Sequence, residues 1–185
     1  MTDLAGKKTI YYGFTGTIDP NGATRISAAL NNAVNNGYDQ VYLCLNSIGG
    51  YVGDGMFLYN HMRGLPIHVI AHNTGGLLSI AVAVFVGAEE RYCSKHSTFM
   101  MHPTTLGPFQ EPMTWERLSG ARTAALADDT RTENVLRERT SIPDNFLNDR
   151  RFREVHITPD QALEFGLVHG VREFSLPKGN EILQV

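Results

Sequence analysis

The chain has little cysteine and no long hydrophobic run. Its two cysteines, Cys44 and Cys93, both lie inside apolar segments of a 185-residue sequence. Isolated thiols of this kind are typical of small buried side chains rather than of a disulfide framework or a metal site. The longest apolar stretch, residues 80–86, is much shorter than the roughly 20 residues that a membrane-spanning helix needs. We therefore expect a soluble protein of a reducing compartment, the cytoplasm, with no membrane partner and no metal.

The sequence also lacks a surplus of positive charge. Sixteen Lys and Arg residues stand against nineteen Asp and Glu, which gives a formal net charge of −3. Proteins that neutralise nucleic-acid phosphates are usually basic, so no nucleic-acid partner is expected. The lysines near the N-terminus are not followed by an apolar run, so this segment does not resemble a signal peptide. The length is that of one domain.

Short apolar segments alternate with amphipathic ones along the first hundred residues. Continuous apolar runs predict strands buried on both faces of a sheet, and apolar residues at helical spacing predict helices. The predicted strands are residues 11–18, 41–45, 67–71, 91–93 and 98–101; helices are predicted around 26–34 and 52–62, a loop at 46–50 and a turn at 73–76. Parallel neighbours need crossover helices, so this alternation predicts an α/β domain with mainly parallel strands.

The second half of the chain has a different character. Residues 115–140 are charged and helical with few apolar positions, so this helix must lie on the surface or project from the body. Thr158, Pro159 and Gln161 form a capping box that starts a later helix, and Gly166 can end that helix.

Three predicted strand ends carry residues suited to nucleophilic catalysis: Gly49 with Gly50, Ser79, and His102. Ligands of open α/β sheets bind at the carboxyl ends of strands. Glycine N–H groups can point at a developing oxyanion, and a histidine can take a serine proton at neutral pH. Taken singly, a serine at a helix start is usually an N-cap and a Gly-Gly pair is usually a turn. Their joint arrangement favours a serine nucleophile with a histidine base.

Five segments carry distinctive motifs. They are Asn46-Ser-Ile-Gly-Gly-Tyr-Val52, Gly75-Gly-Leu-Leu-Ser-Ile80, Phe99-Met-Met-His-Pro103, Leu106-Gly-Pro-Phe-Gln110 and Glu164-Phe-Gly-Leu-Val168. In this order they resemble motifs of the ClpP family, the proteolytic subunit of Clp protease, and the similarity runs from about residue 11 to 171. It implies a single peptidase domain over residues 1–185 with an α/β, ClpP/crotonase-like fold of repeated β-β-α units. A head of about residues 9–106 and 141–175 would carry a projecting handle helix at about 107–140.

The resemblance also implies a catalytic set. Ser79 would be the nucleophile of a serine endopeptidase, and His102 the general base that later protonates the leaving amine. The N–H groups of Gly50 and Ile80 would form the oxyanion hole.

Substrate and assembly follow from the same resemblance. An unfolded polypeptide or short peptide would lie as an extended strand beside Gly49, Leu106 and Phe109. No cofactor is expected. The subunits would form a homo-oligomer of two stacked heptameric rings, a tetradecamer, and a Clp-type ATPase is a possible partner.

Two positions and the N-terminal segment depart from the family pattern. Glu154 falls where the family has the aspartate of its triad; it could orient His102, or it could be a surface partner of the neighbouring arginines, and Asp149 is a weaker candidate. Pro108 replaces a glycine and removes an N–H group that could pair with substrate. Few residues precede the first strand, where the family has a longer segment that helps to engage an unfoldase, so docking of an ATPase stays open.

These departures leave other functions open. The chain could be a catalytically silent ring subunit. A Ser-Lys dyad would need Lys95, whose position before a strand does not suggest a base. A crotonase-type acyl-CoA enzyme commonly uses carboxylates on its pocket helices, and residues 52–62 offer only Asp54.

Overall fold

A computed structural model describes residues 6–107 and 111–185, and in this part of the chain helices flank one eight-stranded sheet. The strands are β1 (Thr9–Ile18), β2 (Gln40–Gly50), β3 (His68–Leu78), β4 (Glu90–Cys93), β5 (Thr98–Met101), β6 (Val155–Ile157), β7 (Gly170–Val171) and β8 (Ile182–Gln184). The helices are α1 (Pro20–Asn35), α2 (Val52–Gly64), α3 (Ile80–Phe85), α4 (Trp115–Arg139), α5 (Asp144–Asp149) and α6 (Pro159–Glu164).

The main run of the sheet has the order β6-β5-β3-β2-β1-β8. Strand β3 has two successive neighbours on one side, β4 along its first half and β5 along its second half. The pairing of β5 with β6 is antiparallel, and the other six strand pairings are parallel. The predicted α/β domain with mainly parallel strands is therefore confirmed.

Strands β2 and β3 run further than the apolar pattern indicates. The predicted loop at 46–50 and the predicted turn at 73–76 are wrong, because both segments continue their strands. Polar side chains find partners on neighbouring strands: Asn46 Oδ1 accepts the N–H of Gly76 at 3.0 Å, and the Asn73 amide donates to the carbonyl of Thr98 at 2.9 Å. These bonds satisfy the side-chain amides of both asparagines within the sheet, although the sequence pattern favours a turn at these positions.

Helix boundaries follow their capping residues. Helix α1 begins at Pro20, before its first strongly apolar residue, because the Asp19 side chain accepts the N–H of Gly22 at 2.7 Å. It ends before Gly37, which has the left-handed φ of 64° that favours glycine. At α6 the capping box of Thr158 and Gln161 is confirmed, with both reciprocal bonds formed.

The predicted polar helix is present as α4, which is 25 residues long. Its buried residues are all in its C-terminal third: Thr132, Glu133, Val135 and Leu136. The N-terminal two thirds expose Trp115, Leu118 and Leu126 among charged residues. The helix thus touches the body at one end, which lies beside the groove described below.

Both cysteines are buried, as expected, and burial raises the pKa of Cys44 to about 12. Within the described ranges no group of three His, Cys, Asp or Glu side chains is arranged to hold a metal ion. None of the helices described in residues 6–107 and 111–185 is both long and apolar enough to cross a bilayer.

Candidate active site

Three strand ends meet at one edge of the sheet. In the β3–β5 register Leu78 is paired with Met100, so Ser79 and His102 each follow the end of adjacent strands. The N–H of Ser79 donates to the carbonyl of Met100 at 2.7 Å and ties the two strand ends together. In the β2–β3 register Ser47 is paired with Leu77, which brings the end of β2 to the same edge.

Ser79 has a strained backbone. With φ 57° and ψ −129°, it is the one non-glycine residue with positive φ in the described part of the chain. Such conformations cost about 1–3 kcal/mol and persist only where the surrounding structure holds them. Ser79 precedes α3 directly, yet its side chain makes no capping bond to that helix. Ser79 thus occupies the N-cap position that the sequence favours, but its hydroxyl does not cap the helix, and the residue is partly exposed.

The two glycines at the end of β2 allow the backbone to approach Ser79. Gly49 has φ 89°, and a Cβ atom there would lie 2.7 Å from both the Leu78 carbonyl oxygen and Ser79 Cβ. A Cβ on Gly50 would lie 2.1 Å from the carbonyl oxygen of Ile18. Side chains at these positions would force the strand ends apart, so the close contact depends on glycine.

The ring of His102 is oriented by its own chain. Its Nδ1 lies 2.7 Å from the carbonyl oxygen of Pro103, and a carbonyl can only accept, so Nδ1 carries the proton. The other ring nitrogen, Nε2, is then the acceptor that a general base requires. Among the described residues no hydrogen bond joins the Ser79 hydroxyl to His102, and catalytic hydrogen bonds are often long before substrate binds.

An open groove of about 760 Å³ runs along this edge. It brings together six of the residues that the sequence predicts for the site: Gly49, Gly50, Ser79, Ile80, His102 and Leu106. Helix α4 forms the opposite wall, where the small residues Ala121, Ala124 and Ala125 line the groove. Phe109, predicted to bind substrate, lies outside the described residues.

Glu154 does not line this groove. Its side chain is 65% exposed, and its carboxylate lies 3.7 Å from Nε2 of His156 rather than beside His102 or an arginine. Asp149, the weaker candidate, pairs with Arg153. In this conformation neither carboxylate contacts the base.

The structure places three further polar residues beside the site that the sequence analysis did not select: Thr104, Asp129 and Arg150. Asp129 accepts hydrogen bonds from Thr104 and Arg150, and both of these residues line the groove. The available signal was the spacing of Asp129 and Glu133, which puts two carboxylates on one face of a helix. That signal is weak in a helix that is charged throughout.

Three comparisons relate the chain to known proteins. A sequence model of the family described as Clp protease matches residues 2–174. The chain is 24% identical over 169 residues to the ATP-dependent Clp protease proteolytic subunit 2 of Pseudomonas aeruginosa, covering 88% of this chain and 83% of that protein. In fold it is similar to a ClpP1 mutant from Listeria monocytogenes, with a TM-score of 0.77, 18% identity, and coverage of 90% and 92% of the two chains.

Proposed function

The chain belongs to the Clp protease family, and we propose that it is a serine endopeptidase subunit with Ser79 as its nucleophile and His102 as its general base. The observation that carries the proposal is the strained, uncapped Ser79 in the same groove as His102. Backbone strain at a single polar residue, in a groove that also holds a histidine with an acceptor nitrogen, is typical of catalytic sites.

The reaction uses two transfers of the acyl group. Nε2 of His102 takes the proton of Ser79 as Oγ attacks the peptide carbonyl carbon, and the resulting oxyanion accepts N–H bonds from Gly50 and Ile80. The C–N bond then breaks, and His102 gives the proton to the leaving amine. Water repeats the sequence on the acyl-enzyme and releases the acid. Ile80 is the first residue of α3, and the first N–H groups of a helix have no partner within it, which supports its role.

We propose unfolded polypeptides and short peptides as substrates. The groove is open along the strand end, and an extended peptide would add to it beside Gly49 and Leu106. The family resemblance adds Phe109, which lies outside the described residues, as a further substrate contact. The chemistry needs no cofactor. By analogy with the family, the subunits form two stacked heptameric rings in the cytoplasm, and the name of the Pseudomonas relative makes a Clp-type ATPase a possible partner.

Glu154 stays our candidate for the third member of the triad, because it occupies the position of the family's aspartate. To reach His102, its side chain must turn away from His156. We expect Glu154→Ala to lower turnover far more than thermal stability, because the exposed carboxylate makes only one weak contact. Wild-type turnover in that variant would remove Glu154 from the mechanism.

A catalytically silent ring subunit is the second candidate. The separation of Glu154 from the base and the missing Ser79–His102 bond in the described structure favour it. A silent subunit would keep the groove and the assembly but would not activate the serine.

Labelling with a fluorophosphonate separates the two candidates. The assembled wild-type protein is treated beside Ser79→Ala, and the adduct is located by intact mass and peptide mapping. Ser119→Ala, a change on the exposed surface of α4, is the matched control and should label like wild type. Label confined to Ser79 supports the peptidase. No label on an assembled oligomer favours the silent subunit.

A further inference from the structure

A chain of polar contacts connects the middle of α4 to the segment that follows His102. Asp129 and Glu133 lie one helical turn apart on α4 and are largely buried, with side chains 13% and 4% exposed. They face Arg150 and Arg151, which lie just after α5. Two carboxylates thus neutralise two guanidinium groups at the inner wall of the groove.

Asp129 makes the contact closest to the base. Its Oδ1 accepts the backbone N–H of Thr104 at 2.9 Å and the Thr104 hydroxyl at 3.0 Å. The same oxygen accepts Nη2 of Arg150 at 3.1 Å, and the Arg150 side chain is only 4% exposed. The buried guanidinium therefore fixes the carboxylate in place.

The two ends of a single peptide group complete the connection. The N–H of Thr104 donates to Asp129, and the carbonyl of Pro103 accepts from Nδ1 of His102. Both groups belong to one planar unit, the peptide between Pro103 and Thr104. A carboxylate on the N–H end holds the plane of this group. It also polarises the carbonyl at the other end, which strengthens the bond from Nδ1.

We infer that Asp129 is a positioning residue that orients His102 through the Pro103–Thr104 peptide, an inference that rests on the proposed function. The contact keeps the proton on Nδ1 and turns Nε2 toward the groove, which is the state in which His102 can accept the Ser79 proton. Asp129 does this without touching the ring. It supplies the orienting charge in the conformation where Glu154 lies beside His156.

The test compares variants of the assembled protein. Asp129→Ala removes both bonds to Thr104. Small misplacements remote from the chemistry can cost on the order of 10²-fold, so we expect Ser79 labelling and kcat for a short fluorogenic peptide to fall by about that factor, with little change in KM. Asp129→Asn keeps an acceptor oxygen but loses the charge, so its labelling rate and kcat should lie between those of the alanine variant and wild type. Asp144→Asn changes an exposed aspartate that pairs with Arg137, so it serves as the matched control and should match wild type.

A double-mutant cycle with His102→Ala separates positioning from a general structural role. If Asp129 acts through the imidazole, Asp129→Ala should not slow the residual labelling of the His102→Ala protein any further. An equal loss in both backgrounds would overturn the inference, as would wild-type kcat in Asp129→Ala. Light scattering and thermal melts establish that each variant assembles; if Asp129→Ala does not, Asp129→Asn goes through the same cycle. A wild-type protein that does not label at all refutes the proposed peptidase instead.

Discussion

Replacing Ser79 by glycine should stabilise the protein more than replacing it by alanine. Both changes remove the hydroxyl, so they differ only in what the backbone tolerates. At φ 57° and ψ −129° an alanine keeps the strain of the native residue, whereas glycine adopts this region freely. The bond from the N–H of residue 79 to the carbonyl of Met100 is available to both variants.

The size of the effect follows from two opposing contributions. Relief of strain contributes about 1–3 kcal/mol, and the greater chain entropy of unfolded glycine costs about 0.5–1 kcal/mol. The net advantage of Ser79→Gly over Ser79→Ala is about 1 kcal/mol, which for a chain of this length corresponds to roughly 2–4 °C in Tm. Differential scanning calorimetry at one fixed protein concentration measures it.

The same pair of substitutions at Ser119 gives the control. This serine lies in the exposed part of α4 with helical geometry, where glycine is less stable than alanine by about 1 kcal/mol. The order of the two variants should therefore reverse between the sites. If the Tm of Ser79→Gly is equal to or lower than that of Ser79→Ala, the backbone at Ser79 is not strained. The observation that carries the proposed function is then lost.

Three further predictions concern other parts of the molecule. Gly49→Ala should lower kcat/KM at least about tenfold and the free energy of unfolding by about 1–3 kcal/mol, because its Cβ would collide with Leu78 and Ser79. Burial, assisted by Arg172, lowers the pKa of His72 to about 4. The unfolded chain then binds this proton first, so Tm should fall as the pH drops from about 6.5 toward 4, and less steeply in His72→Gln. Arg91→Met should destabilise the protein by about 2 kcal/mol or more in calorimetry, because the carbonyls of Leu167 and Gly166 lose the buried guanidinium that donates to them.

Each of these has a matched control. A Cβ on Gly53 would meet nothing within 4 Å, so Gly53→Ala should keep full activity; equal activity in Gly49→Ala would refute the close approach. His61→Gln, at a half-buried position, is the control for the loss of an imidazole, and an unchanged slope in His72→Gln would contradict the assignment to His72. Arg63 forms a partly exposed pair with Glu89, so Arg63→Met should lower the stability of the protein much less than Arg91→Met does. Equal losses of stability would contradict the role of the carbonyls that Arg91 binds.

Much of the fold could be predicted from periodicity because the central strands are buried on both faces. Leu43 and Cys44 in β2, like Val69 and Ile70 in β3, point to opposite faces and are at most 6% exposed, and such continuous apolar runs are distinctive. The ends of these strands do not follow from the apolar pattern. Asn46 is acceptable in a strand only because the N–H of Gly76 lies opposite it, and that partner is 30 residues away in the sequence.

The residues of the candidate site also differ in how far the sequence predicts them. Ser79 and His102 follow directly on apolar strands, so local sequence and family motifs were enough to select them. The bond between Thr104 and Asp129 spans 25 residues and depends on where α4 passes the sheet. Position in the sequence selected Glu154, but side-chain direction is a property of packing, and the structure turns that carboxylate toward solvent.

Strand β5, which leads to His102, pairs with its two neighbouring strands over short ladders only. Its ladder to β3 has three residue pairs and its ladder to the peripheral strand β6 has three, whereas β1 and β2 share nine. Short ladders at a sheet margin open locally at free energies well below that of global unfolding. Amide hydrogens of β5 should therefore exchange before those of β2, and heating should abolish hydrolysis while the central strands are still protected. Activity in this protein would report the integrity of one margin of the sheet rather than of the whole molecule.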